Sequence, residues 1–176
     1  MSIAIRSLIV GILLSGLAVK AEAFTREQAQ QCAEALLGIY VDRRNPLPFL
    51  DINGLTETAL GANNRDLLPR QRDLARRVAT ELIPGEFAEA TRFTFSSPTI
   101  RNVDERNSGG WTAHGVVDVI DTEENRRFLN ASVLAIVTSA SPCRVRQVRI
   151  GEIRTLTAIV RSMLRSDRRT RSFFRD

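Results

Sequence analysis

Histidine, tryptophan, tyrosine and lysine each occur once in the 176 residues, and cysteine occurs twice. One imidazole excludes a two-histidine metal site or a histidine pair passing a proton within one chain. Two cysteines are too few for a zinc finger or an all-protein Cys/His cage. The chain lacks the Gly-x-Ser-x-Gly elbow, the phosphate-binding P-loop, the dinucleotide fingerprint and the His-Glu-x-x-His helix. It contains no internal repeat and no linker long enough to separate a second domain from the first. A metal, a cofactor and catalysis are therefore not expected. Hydrophobic residues make up 43% and charged residues 26%, which sets collagen-like, low-complexity and fully disordered classes aside. The length suits one domain with a sizeable core.

Long apolar runs are also missing. The longest near the N-terminus, Leu8 to Val19, has 12 residues, short of the ~20 that cross a bilayer. Arg6 precedes it and Ala21-Glu22-Ala23 follows as a small-x-small cleavage site, the pattern of a secretory signal. Cleavage after Ala23 is expected to give an exported mature chain of 153 residues starting at Phe24. An exported chain does not meet genomic DNA, so the net charge of +5 is not read as nucleic-acid binding. Residues 24–160 are neutral, whereas 161–176 carry six arginines against two aspartates. That excess is either a solvated helix end running into a frayed tail, or a contact for anionic lipid headgroups or an acidic protein. Export also permits a disulfide. Cys32 and Cys143 are either a bridge or two separate buried thiols.

Thr25-x-x-Gln28 reads as a capping box. Ala29, Cys32, Ala33, Leu36, Leu37 and Tyr40 then form one apolar helical face that ends at Asn45-Pro46-Leu47-Pro48. Asp51 caps a short helix reaching Leu60, with Gly61 as its stop. Pro69 opens a longer helix to about Ile83, interrupted by Pro84-Gly85, with room for another turn or two over Glu86 to Thr91. Beyond it the texture changes to strands. Phe93–Phe95 and Thr99–Val103 lie around Pro98, then come Trp111–Ile120, Phe128–Val137 and Cys143–Ile153. Val145 and Val148–Ile150 break strict alternation and predict a bulge in the last strand. Thr155 caps a final helix with Leu156, Ile159, Val160, Met163 and Leu164 on its inner face. Helices followed by consecutive strands with short turns predict an α+β fold with an antiparallel sheet.

The chemistry on these elements is sparse. Asp118 lies four residues beyond His114, roughly 13 Å along a strand, so the two form no local dyad. A carboxylate from another strand remains available to His114. Asn130-Ala131-Ser132 matches a glycosylation sequon but falls inside an apolar strand. Phe128–Val137 carries apolar residues on both faces, with Leu134 and Ile136 on one and Leu129, Val133 and Val137 on the other. One face meets the helices. The other calls for a second layer or an apolar ligand.

Several of these segments are similar to one family. Phe49-Leu50-Asp51-Ile52, Thr58-Ala59-Leu60-Gly61 and Leu67-Leu68-Pro69-Arg70-Gln71-Arg72 match the aspartate-led short helix, the Leu-Gly stop and the Gln-Arg helix opening of the MlaC-type periplasmic phospholipid-binding proteins, also called toluene-tolerance auxiliary proteins. Cys143 to Gly151 resembles that family's last-strand motif. The chain departs from the pattern at Cys143, where the family usually has Trp, at Gln147, where it has Asp, and at Gly151-Glu152-Ile153, where it has Gly-Val-Ser.

The resemblance covers most of residues 25–165 and implies a helical layer packed on a curved antiparallel sheet, related to NTF2-like proteins. The chain then divides into a signal peptide at 1–23, a lipid-binding domain at 24–165 and a basic tail at 166–176. The implied function is a monomeric periplasmic carrier within an ABC-type envelope system, passing phospholipid between inner- and outer-membrane lipid-transport complexes without catalysis. Val117, Val119, Leu134, Ile136, Val145, Ile150 and Ile153 are expected to line the lipid slot, with Leu156 and Ile159 at its edge. Two other classes stay open. One is an NTF2-like small-molecule binder or enzyme with a pocket near His114. The other is an exported interaction protein with a fully packed core.

Overall fold

The Thr25 capping box is complete: its hydroxyl accepts from the Gln28 N–H, and Gln28 Oε1 accepts from the Thr25 N–H at 2.8 Å. It opens α1 (Arg26–Val41), whose Ala29, Cys32, Ala33, Leu36 and Leu37 are buried. The computed structural model describes residues 24–89, 92–153 and 155–174. The expected leader and cleavage site lie outside these residues. Asp51 caps α2 (Ile52–Leu60) by accepting from the Gly54 N–H at 3.0 Å. Helix α3 (Pro69–Glu89) starts on its proline, with Gln71 Oε1 accepting from the Leu68 N–H.

This third helix runs without the expected interruption at Pro84-Gly85. Pro84 lies inside it and removes one main-chain donor. Ile83 is buried and Phe87 packs against the core. Anchored on both sides of Pro84, the helix continues to Glu89.

Four antiparallel strands follow in the spatial order β1-β2-β3-β4. They are β1 (Phe93–Glu105), β2 (Trp111–Asp121), β3 (Arg126–Ala140) and β4 (Cys143–Ile150). The two expected pieces around Pro98 are one strand. Its register shifts between Ser96 and Thr99, and an edge strand tolerates a proline at such a bulge. The expected bulge in β4 is present: Val145 pairs with Val137 while Gln147 pairs with Ile136. Arg146 is thereby set out of register, and Val145, Val148 and Ile150 are all buried on one face. The other edge of β4 is covered, because Leu50 bridges to Val145 and the Asp51 N–H donates to the Val145 carbonyl at 2.9 Å.

Helix α4 (Leu156–Ser166) is capped by Thr155 as expected. The chain beyond it does not fray. Asp167 closes the helix, Thr170 is fully buried with its hydroxyl donating to the Leu164 carbonyl at 2.6 Å, and Phe173 is buried in a short 3-10 turn. The frayed-tail expectation is thus corrected for residues 166–174: a threonine and a phenylalanine anchor a segment whose arginines and serines face water.

One hydrophobic core joins the helices to one face of the sheet, giving a single α+β domain. Cys32 of α1 and Cys143 of β4 form a disulfide, which resolves the two readings of the cysteines in favour of the bridge.

Candidate functional site

Core packing is incomplete at one end of the molecule. There the C-terminal turns of α1 and α3, the start of β1, the end of β4 and the first turn of α4 surround a cavity of about 650 Å³. Its wall is apolar. Tyr40 comes from α1, Phe87 from α3, and Phe93 and Phe95 from β1. Val148 and Ile150 come from β4, Ile153 from the following loop, and Leu156 and Ile159 from α4. Tyr40 packs edge-on against Phe87 and Phe95, with centroids at 4.8 and 6.1 Å. Burial pushes the Tyr40 phenol above its ordinary range. A second cavity of about 460 Å³ shares Phe93, Ile150, Ile153, Arg92 and Glu152 with the first. The two are adjacent along that shared wall, and the second ends at the exposed side chains of Phe128 and Leu129.

Charged groups stand at the rim. Arg43, Glu86 and Glu152 line the main cavity and are exposed. Arg43 has φ 53°, and its Nη2 donates to Thr94 Oγ1 at 3.2 Å. Arg92 lines both cavities and is tied to Asp121 at 2.7 Å, Glu124 at 2.9 Å and Glu123 at 3.4 Å. The guanidinium holds the Asp121 carboxyl below the usual carboxylate range.

Of the nine expected lining residues, Ile150, Ile153, Leu156 and Ile159 line the main cavity and Val119 the second. Val117 and Val145 are buried in solid core and line neither. Leu134 and Ile136 require correction. Their β3 neighbours Val133, Ala135 and Val137 are buried toward the helices, so strand alternation puts Leu134 and Ile136 on the opposite, half-exposed face. Tyr40, Phe87, Phe93, Phe95 and Val148 were missed. Two signals were available: Tyr40 ends the apolar stripe of α1, and Phe93 and Phe95 have the i, i+2 spacing of one strand face.

His114 is far from this chemistry in the fold. It pairs across the sheet with Leu134 and Asn102, on the outer face, and lines neither cavity. Its Nε2 lies 3.6 Å from an oxygen of Asp104 on β1, and both side chains are about half exposed. Asp118 serves the backbone instead, accepting from the Asn130 N–H at 2.8 Å. The described residues include no group of three His, Cys, Asp or Glu side chains able to hold a metal.

Fold and cleft together define an α+β protein with an apolar-walled cavity between its helices and its sheet. No protein-family model matches the chain, and no curated protein matches it.

Proposed function

We propose that the protein is an exported carrier of phospholipid, holding acyl chain in the apolar cleft and serving membrane-bound lipid-transport complexes. The observation that carries this reading is the wall of the main cavity, nine apolar side chains around about 650 Å³. That volume lies within the ~300–1,000 Å³ of small-ligand sites. Each methylene moved from water into such a wall contributes ~0.8 kcal/mol, so an acyl chain is the kind of ligand it favours. The charged groups stand at the rim, where a headgroup would remain in water. The short motifs shared with the MlaC-type proteins point the same way. A fully packed interaction domain would have no such cavity, and an enzyme using a pocket near His114 would need that imidazole on the other face of the sheet.

The direct test is native mass spectrometry of protein purified from cells, followed by lipid extraction. Phospholipid at about one molecule per chain is expected. Protein that carries no phospholipid, and gains none after incubation with vesicles, would sink the proposal.

A further inference from the structure

Arginines concentrate along α3 and in the segment after α4. Helices α3 and α4 pack against each other, and both ends of this pair can be located. At one end, Phe87 of α3 and Leu156 and Ile159 of α4 line the main cavity, with Glu86, Glu152, Arg43 and Arg92 at its rim. Toward the other end, six residues before Phe87, Arg169, just beyond α4, bridges to Glu81 of α3 at 2.8 Å. Arg77 lies one helical turn before Glu81, and Arg70, Asp73, Arg76 and Arg77 border a common shallow depression. The Arg169–Glu81 bridge thus brings the C-terminal segment, with Arg168 and Arg171, beside the arginines of α3. Residues 65–81 and 165–171 hold nine arginines against four acidic residues.

The positive charge there is not consumed within the fold. Arg76 pairs with Asp73, and Arg169 with Asp167 and Glu81. Among the described residues, Arg65, Arg70, Arg77, Arg168 and Arg171 are exposed and take part in no ion pair or side-chain hydrogen bond. Leu68, 51% exposed, stands beside Arg70 at the start of α3. Neither stretch contains an aromatic residue on which a nucleic-acid base could stack.

We propose that this arginine pole docks on an anionic lipid bilayer. Guanidinium groups meet phosphate oxygens in paired hydrogen bonds, and an exposed leucine beside them suits the headgroup boundary. From Arg70 to Phe87 the helix runs roughly 26 Å at its rise of ~1.5 Å per residue. Docking by the N-terminal end of α3 therefore turns the cavity rim away from the bilayer. In the carrier reading, that leaves the mouth open to a partner while the protein is held near the membrane. The docking itself does not depend on what the cavity binds.

The test is sedimentation of protein purified from cells with vesicles of phosphatidylcholine alone, or of phosphatidylcholine with phosphatidylglycerol, over a salt series. Binding to the anionic vesicles that weakens with salt is expected. Each arginine near such a surface is worth about a factor of five, so Arg70→Gln with Arg77→Gln, or Arg168→Gln with Arg171→Gln, should weaken it roughly 30-fold. These side chains contact little, and unchanged melting curves confirm that the variants fold. Equal binding to both vesicle types, no binding at low salt, or variants that bind like the parent would each overturn the proposal. Bound phospholipid is measured on the same samples. Loss of vesicle binding with phospholipid still bound removes the docking pole and leaves the carrier. Salt-sensitive vesicle binding by protein that never carries phospholipid supports the pole while the carrier reading fails.

Discussion

Asp121, at the end of β2, keeps its side chain 3% exposed and receives Arg92 Nε at 3.0 Å and Nη2 at 2.7 Å. Its other oxygen accepts from the N–H groups of Glu123 and Glu124 at 3.1 Å each. One carboxylate thus ties the start of β1 to the β2–β3 turn, at the rim of the cleft. Its depressed pKa, due first to the Arg92 hydrogen bonds, fixes the sign of a pH effect. The stabilisation is fully present above the unfolded value of ~3.9 and is lost as pH falls through the lower folded value. Asp121→Asn should lower the melting temperature at pH 7, and its gap from the parent should close below about pH 4. Asp167 is depressed too but is common to both proteins. Melting curves across that range with a gap that stays constant would show that Asp121 is not the titrating group.

The outline of the fold was legible because its signals are local. The caps at Thr25, Asp51 and Thr155, the proline opening α3 and the short turns between strands each depend on a few neighbouring residues. What was not legible depends on distant ones. Period-two alternation separates Leu134 and Ile136 from Val133 and Val137, but both sets are apolar, so the pattern cannot say which faces the helices. Helix α1, packed over the sheet, decides it. Pro84 is a break signal by itself and is overridden by the anchoring of Ile83 and Phe87. The cleft wall is drawn from five separate stretches of the chain, so no spacing rule could assemble it, although the β4 and α4 residues within it were found. The Arg-rich end looked frayed because its two anchors, Thr170 and Phe173, are thinly spaced among arginines.

The Cys32–Cys143 bridge joins residues 111 apart in sequence, fixing α1 to the beginning of β4. Closing a loop of that length restricts the unfolded chain strongly. The entropy model gives ~4–5 kcal/mol, and removing native bridges from small exported domains typically costs ~2–5 kcal/mol. Paired Cys32→Ser and Cys143→Ser substitution should lower stability within that range in urea titrations, and reductant should act the same way on the parent alone. Identical midpoints with and without reductant would mean that the bridge does not form.

His114→Ala should be nearly silent. The ring is about half exposed on the outer face, and surface changes of this kind usually stay within ~0.5 kcal/mol. Bound phospholipid should also be unchanged, because the ring lines neither cavity. A drop of ~2 kcal/mol in a denaturant titration, or loss of bound lipid, would assign the imidazole a role that its position does not explain.

Filling the cleft discriminates most sharply between a binding space and an ordinary packing flaw. Ile153 borders both cavities, so Ile153→Trp places an indole where the two meet. In a solid core the added volume would force strain of ~1–3 kcal/mol. Next to a cavity of about 650 Å³ the ring has room, and the melting curve should stay close to that of the parent. Bound phospholipid, measured by extraction from protein purified from cells, should fall to a small fraction. Leu134→Trp is the matched control. It adds more bulk than the leucine it replaces, but on the outer face of β3, so both stability and lipid content should survive it. Full lipid occupancy in Ile153→Trp, or equal loss in both variants, would place the lipid somewhere other than between the helices and the sheet.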